Sequence, residues 1–283
     1  MNCLLIINYN DYKNSERLIK NVNDYKIIDK IVVVDNKSTD DSYEKLLKIK
    51  SNKLDIILSD NNSGYSYAIN IGLKYIEKFD KKANVFISNS DIIIKSEEDL
   101  KLLISSLKDD VGCVGPVINE HGVLNRGWRI PTPIEDSLMN LVLIHNIVRK
   151  KKIFYKESHY MNDESIVDVV SGCFFLVNLD DMKKINYFDS NVFLYYEENI
   201  LARRLEKINK HEIINNKVEI IHDHAASIDN NIKRIKKFKI LKTSQYYFQT
   251  RYNKAGIFSK MFLKLTKNIS LIIYHISALF KRS

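Results

Sequence analysis

Four short polar clusters stand where apolar runs of this 283-residue chain end: Asn8-Tyr9-Asn10, Asp35-Asn36, Asn62-Ser63-Gly64 and Asn89-Ser90-Asp91. The last lies in NVFISNSDIII, residues 84–94, an apolar stretch that breaks at an acid and then resumes. Asn, Ser and Asp turn the chain readily because their side chains bond nearby backbone amides, so any one cluster alone reads as a turn. Four together point to a site. If the apolar runs are neighbouring parallel strands, their carboxyl ends share the edge where open α/β sheets keep ligands. A nucleotide lying along that edge would meet all four. Asp35 would accept from a base imide or a ribose hydroxyl, and Asp91 would deliver a carboxylate to a metal or a phosphate. Gly64 would permit close backbone approach, and the helical pattern after it would set a helix N-terminus beside a diphosphate.

Two further groups carry titratable chemistry. Glu197 and Glu198 open an amphipathic helical pattern behind Phe193, Tyr195 and Tyr196. Acids suit helix N-termini in any setting, but a carboxylate among aromatics also acquires a raised pKa and can serve as a general base. His222 and His224, in IIHDHAAS, are two residues apart on a strand pattern and project to one face. They match no zinc spacing; a neutral His222 beside Asp91 could be one ligand of a divalent ion. Cys3, Cys113 and Cys173 are far apart and form no CxxC. That usage predicts reduced thiols in a cytosolic compartment, with Cys3 and Cys173 as small core residues.

The elements that would position these residues alternate. Strand-like runs at CLLIIN (3–8), KIVVVDN (30–36), DIILSD (55–60), NVFIS (84–88) and VGCVGPVI (111–118) are separated by helical patterns. The runs are apolar throughout rather than alternating, as in a sheet covered on both faces, so the fold class is α/β with a mostly parallel central sheet. The pattern then loosens. Residues 126–136 read as a loop, 139–148 as a helix, 165–178 as strand-rich, 198–209 as a helix and 217–227 as a strand running into a loop. No GxGxxG follows the first run, which argues against a dinucleotide-binding domain. MNCLLIINYN lacks the basic start and cleavage site of a secretory leader and reads as the first strand.

In order and spacing, IINYN, IVVVDNKSTDDS, NNSGYSYAINIGL, FISNSDIII, RGWRIPTP, SGCFFLVN, YFDSNVFLYYEENILARRL and IIHDHAAS resemble a family-2 glycosyltransferase of the GT-A fold, closest to its rhamnosyltransferase-like branch. The likeness covers roughly residues 3–255. It implies an inverting, metal-dependent hexosyltransferase that moves a sugar from a nucleotide-diphosphate donor to a cell-surface glycan or lipid-linked acceptor. On that resemblance Asn8, Tyr9 and Asp35 would hold the base and ribose, and Asn62, Gly64 and Asn70 would complete the pocket. Asn89-Ser90-Asp91 would stand at the family's DxD-type site, with Asp91 on Mg²⁺ or Mn²⁺ and His222 as a further metal or phosphate contact. Gly172 and Cys173 would face the acceptor. Glu198, or Glu197 beside it, would deprotonate the acceptor hydroxyl. Two positions depart from the pattern: Asn89 replaces the first acid, and Ile200 stands where the branch often has an acid. These departures frame the alternative, a nucleotide-sugar-binding protein with impaired catalysis.

Composition is ordinary for a globular chain, 45% hydrophobic and 28% charged. The net charge of +9 is uneven: 13 of the 44 Lys and Arg follow Asp229, where no Asp or Glu occurs, leaving 31 bases against 35 acids in the body. This divides the chain into a catalytic domain, 1–229, and a basic helical tail, 230–283. In the tail Phe262, Leu265, Ile269, Ile272, Ile276 and Leu279 fall on one helical stripe, with Lys260, Lys264 and Lys267 off it. Its uninterrupted apolar part is too short to span a bilayer. The expectation is a helix lying on an anionic membrane surface, so that the enzyme works peripherally at the cytoplasmic face; packing on the body or a dimer contact is the plainer alternative. No nucleic-acid-binding motif accompanies the charge, and no nucleic-acid partner is expected.

Overall fold

The computed structural model describes residues 1–141, 143–223 and 231–280. His224 and the expected boundary at 229/230 lie outside them. The first half runs β1 (Asn2–Asn8), α1 (Tyr12–Val22), β2 (Lys30–Asp35), α2 (Ser42–Leu46), β3 (Leu54–Leu58), α3 (Tyr65–Ile76), β4 (Asn84–Asn89), β5 (Ile92–Ile93), α4 (Glu97–Ser106) and β6 (Val111–Glu120). The second runs β7 (Val123–Asn125), α5 (Pro133–Met139), α6 (His145–Val148), β8 (Glu164–Val167), β9 (Phe174–Asn178), α7 (Leu179–Lys184), α8 (Glu197–Glu206), β10 (His211–His222), α9 (Asn231–Arg251) and α10 (Ile257–Phe280).

One sheet carries the order β3-β2-β1-β4-β9-β6-β10-β5. The β3-β2-β1-β4 half is parallel throughout, as the uninterrupted apolar runs predict. Beyond β4 the sheet also takes antiparallel strands. β9 enters antiparallel to both neighbours, β4 and β6, while β10 runs parallel to β6. Successive residues of β1 serve opposite faces. Leu5 and Ile7 join the core beneath α3, while Leu4 and Ile6 join the one beneath α1 and α4. The absence of polar alternation follows from that double burial.

The expected loop at 126–136 ends early, because Thr132 and Glu135 form a capping box and Pro133 opens α5. The expected helix at 139–148 is divided between the ends of α5 and α6. The C-terminal segment is two helices, broken at 252–256. α9 packs on the body: Phe248 is fully buried, and Gln249 Nε2 donates to Pro131 O (2.9 Å) and to Asp136 Oδ2 (2.6 Å). α10 packs on α5 and α9.

Candidate active site

Parallel pairing brings the first polar clusters together. In register, Asn8 stands beside Asp35, and Ile7 beside Asn89. Asn8 and Asp35 are fully buried. The Asp35 carboxylate accepts from Asn8 Nδ2 (2.7 Å), Ser38 N (2.8 Å) and Ser38 Oγ (2.7 Å). Its carboxylate therefore organises the loop after β2 within the protein, with Ser38 as its main partner. Tyr9, at the tip of β1, is 45% exposed and presents an open ring. Asn36 Nδ2 donates to Asn62 Oδ1 (3.1 Å), extending the polar edge toward α3.

Asp91 and His222, 131 residues apart, meet at 3.1 Å between Oδ1 and Nε2. β5 pairs with the end of β10, which sets this contact. The other imidazole nitrogen, Nδ1, lies 3.3 Å from Glu120 Oε1 at the end of β6. Glu120 is a second acid at this corner that no motif indicated. Burial alone would lower the His222 pKa; hydrogen bonds to Asp91 and Cys173 outweigh it and raise the pKa to about 11. Among the described residues no group of three or more His, Cys, Asp or Glu is arranged to hold an ion by itself. A carboxylate oxygen and an imidazole nitrogen fit a Mg²⁺ or Mn²⁺ ion that takes its remaining ligands from phosphate and water oxygens, provided the ion displaces the proton that His222 otherwise holds against Asp91.

The turn at 171–173 joins this corner to the paired glutamates. Cys173 O accepts from Asn89 N (2.8 Å), and Gly172 O accepts from the Tyr65 hydroxyl (3.0 Å). A Cβ on Gly172 would lie 2.4 Å from Glu198 Oε1, so the base candidate packs directly on that turn. Glu198 lines a cavity of about 610 Å³ together with Trp128, Tyr195, Tyr196, Arg149 and Lys242. It keeps some solvent contact through the cavity. Burial raises its pKa, and backbone amides of Glu198 and Gly172 partly offset the rise. Glu197 is not among the cavity's lining residues, is 5% exposed, and its Oε2 has no hydrogen-bond partner. Burial, then the neighbouring charge of Glu198, pushes its pKa well above the carboxylate range. Tyr195 and Tyr196 both adopt left-handed backbone (φ 70° and 68°), uncommon for aromatic residues. The Tyr196 hydroxyl, donating to buried Asp136 Oδ1 (2.8 Å), helps hold that turn.

Two expected pocket residues serve elsewhere. Asn70 spends its amide on Phe188, accepting from its N–H and donating to its carbonyl, both at 2.9 Å. Its position in the second turn of α3 directs it to the 188–190 segment rather than the strand edge. Gly64 does allow a close backbone approach, at φ 104°, but the atom it admits is Phe193 O, 2.2 Å from where a Cβ would sit. Tyr65 N donates to the same carbonyl (2.9 Å), so part of the α3 N-terminus is already satisfied.

Comparison with known proteins bears on this arrangement. The profile of glycosyl transferase family 2 matches residues 3–185. The low-salt glycan biosynthesis hexosyltransferase Agl10 of Haloferax volcanii is 24% identical over 208 residues, 73% of this chain and 62% of the relative. The chain thus aligns with less than two thirds of that relative's length. Among solved structures, the mannosyltransferase PcManGT from Pyrobaculum calidifontis, in complex with GDP-Man and Mn²⁺, is similar with a TM-score of 0.60 at 16% identity, over 99% of this chain and 74% of that one. GalNAc-T7 with UDP, GalNAc and Mn²⁺ gives 0.64 at 10% identity, over 94% and 54%. At these identities the structures speak to fold alone, a GT-A glycosyltransferase architecture.

Proposed function

Because this chain belongs to glycosyl transferase family 2, we propose that it is an inverting, rhamnosyltransferase-like hexosyltransferase acting on a nucleotide-diphosphate sugar and a cell-surface glycan or lipid-linked acceptor. The observation that carries the reading is the 171–173 turn, which seats a cavity-lining carboxylate, Glu198, beside the Asn89–Asp91 corner. Donor would lie along the strand edge, its base against Tyr9 and the Asn8–Asp35 pair, its ribose near Asn62. Asp91 and His222 would hold a divalent ion, which when bound neutralises the leaving diphosphate.

Glu198 is the base in this reading. It takes the acceptor hydroxyl proton as the acceptor oxygen bonds to the anomeric carbon, and the bond from that carbon to the diphosphate oxygen breaks. Attack from the face opposite the leaving group inverts the configuration. A raised pKa suits the task, because a stronger base accepts the proton more readily. Glu197, buried beside Glu198, supports the turn. Gly172 leaves room for the base, and Cys173 forms the acceptor-side wall. The basic C-terminal segment, 230–283, holds the enzyme peripherally on an anionic membrane surface at the cytoplasmic face.

The test compares Glu198→Gln with Glu197→Gln, following label from UDP-, dTDP- and GDP-sugars into a membrane fraction that supplies acceptor. Glu198→Gln should lose roughly 10²–10⁴-fold in transfer while nucleotide affinity stays within about twofold. Glu197→Gln should keep most activity. Parallel loss of binding and transfer in Glu198→Gln would make that residue structural.

A further inference from the structure

The side of α10 that faces the body is narrow and only partly apolar. Leu263, Thr266 and Ser270 are buried, and Thr266 Oγ1 accepts from Asn140 Nδ2 (3.2 Å) just after α5. The spacing 258, 262, 265, 269, 272, 276 alternates four and three, and these residues are Phe, Phe, Leu, Ile, Ile and Ile, all turned to solvent. Leu265 is 58% exposed and Ile272 59%. A helix packed to complete a core would show the reverse. The face is a continuous apolar strip, too large to be scattered surface residues.

Charge identifies what covers it. Lys264 is exposed on the flank of the strip, and Lys236, Lys237 and Lys239 are exposed on neighbouring α9. The segment beyond α5, against which α10 packs, exposes Leu143 and Ile147 and then the basic run 149–152. A second copy meeting strip to strip would bring these cations against their own kind. An anionic lipid surface accepts both the apolar strip and the cations. No helix of the described residues is long and apolar enough to cross a membrane.

We propose that the outer face of α10 is the membrane-docking surface, seated among anionic lipid headgroups, and that the 143–149 segment rests at the same boundary. His145 and Arg149 of that segment line the cavity that holds Glu198. Docking this way opens the cavity beside the bilayer, where a lipid-linked acceptor has its sugar. This placement of the acceptor rests on the transferase reading; the docking face does not.

The full chain is sedimented with vesicles of phosphatidylcholine containing phosphatidylglycerol, and with phosphatidylcholine alone, at low and high salt. Circular dichroism monitors folding, and nucleoside diphosphate titration monitors the donor site. Wild type should bind the anionic vesicles at least tenfold better, with the preference reduced by salt. Ile269→Asp/Ile272→Asp should lose at least tenfold while melting and nucleotide binding are unchanged, since both side chains are exposed. Wild type that ignores anionic vesicles, or a double variant that binds them equally, would overturn the proposal. So would a wild-type dimer, seen by sedimentation velocity, that the double variant dissociates without vesicle binding in either. Nucleotide binding without vesicle binding would remove the docking face and leave the transferase reading standing.

Discussion

At Gly172 the missing side chain matters because of what occupies its space. The atom a Cβ would strike, Glu198 Oε1, is the end of a flexible side chain, so Gly172→Ala should fold normally and displace the carboxylate. Its expected signature is a fall in kcat of about 10²-fold with the donor KM little changed, because small misplacement of a reacting group costs that much. Asp136 offers a pH test. Burial raises its pKa from 3.8 to about 6, although bonds from Gln249 and Tyr196 oppose the rise. Between those values the folded chain holds a proton that the unfolded chain has lost. The neutral acid's contribution is therefore full below about pH 4 and declines until about pH 6. Asp136→Asn cannot lose that proton, so denaturant titration should show wild type losing up to about 3 kcal/mol relative to the variant between pH 4 and pH 7. Residue roles were partly legible. Asp91 and His222 could be singled out because each stands at a strand end. Glu120 and Tyr65 could not, because their roles come from partners brought near by the fold. The bonds of Asn70 to Phe188 could not be read either, because its motif gives the residue but not the helix face it occupies.

Elements that create the site also store its constraints. α3 can begin where it does only because Gly64 accepts φ 104° against the Phe193 carbonyl. Backbone stands on both sides of that contact, so Gly64→Ala should destabilise the fold by about 2–4 kcal/mol, measured by urea denaturation, rather than weaken nucleotide binding selectively. α8 starts from two left-handed tyrosines, and Asp136 of α5 ties that start to α9 through Gln249. The base helix and the first C-terminal helix therefore share one buried polar link. The parallel half of the sheet was readable because doubly buried strands are apolar throughout. The direction of β9 was not, since strand orientation depends on the path taken to the sheet and leaves no local pattern. α5 was missed even though Thr132, Pro133 and Glu135 spell a helix start.

On the scale of the whole molecule, charge and apolar surface are separated. The net charge of +9 is the sum of 13 bases after Asp229, where no acid occurs, and a slightly acidic remainder of 31 bases against 35 acids. The stripe on α10 was visible as periodicity. That it faces solvent was not, because periodicity fixes an angle around the helix but not which side finds a partner. If the two helices serve the membrane alone, soluble nucleotide binding should be indifferent to salt over a range that abolishes vesicle binding.

The most direct test of the central claim is calorimetric titration with UDP, dTDP and GDP, each with and without Mn²⁺, on wild type and on Asp91→Asn. The expected result is binding of one nucleotide that strengthens with Mn²⁺, and loss of that strengthening in the variant. A folded wild type that binds none of the three, with or without the ion, would contradict a nucleotide-sugar site at this sheet edge.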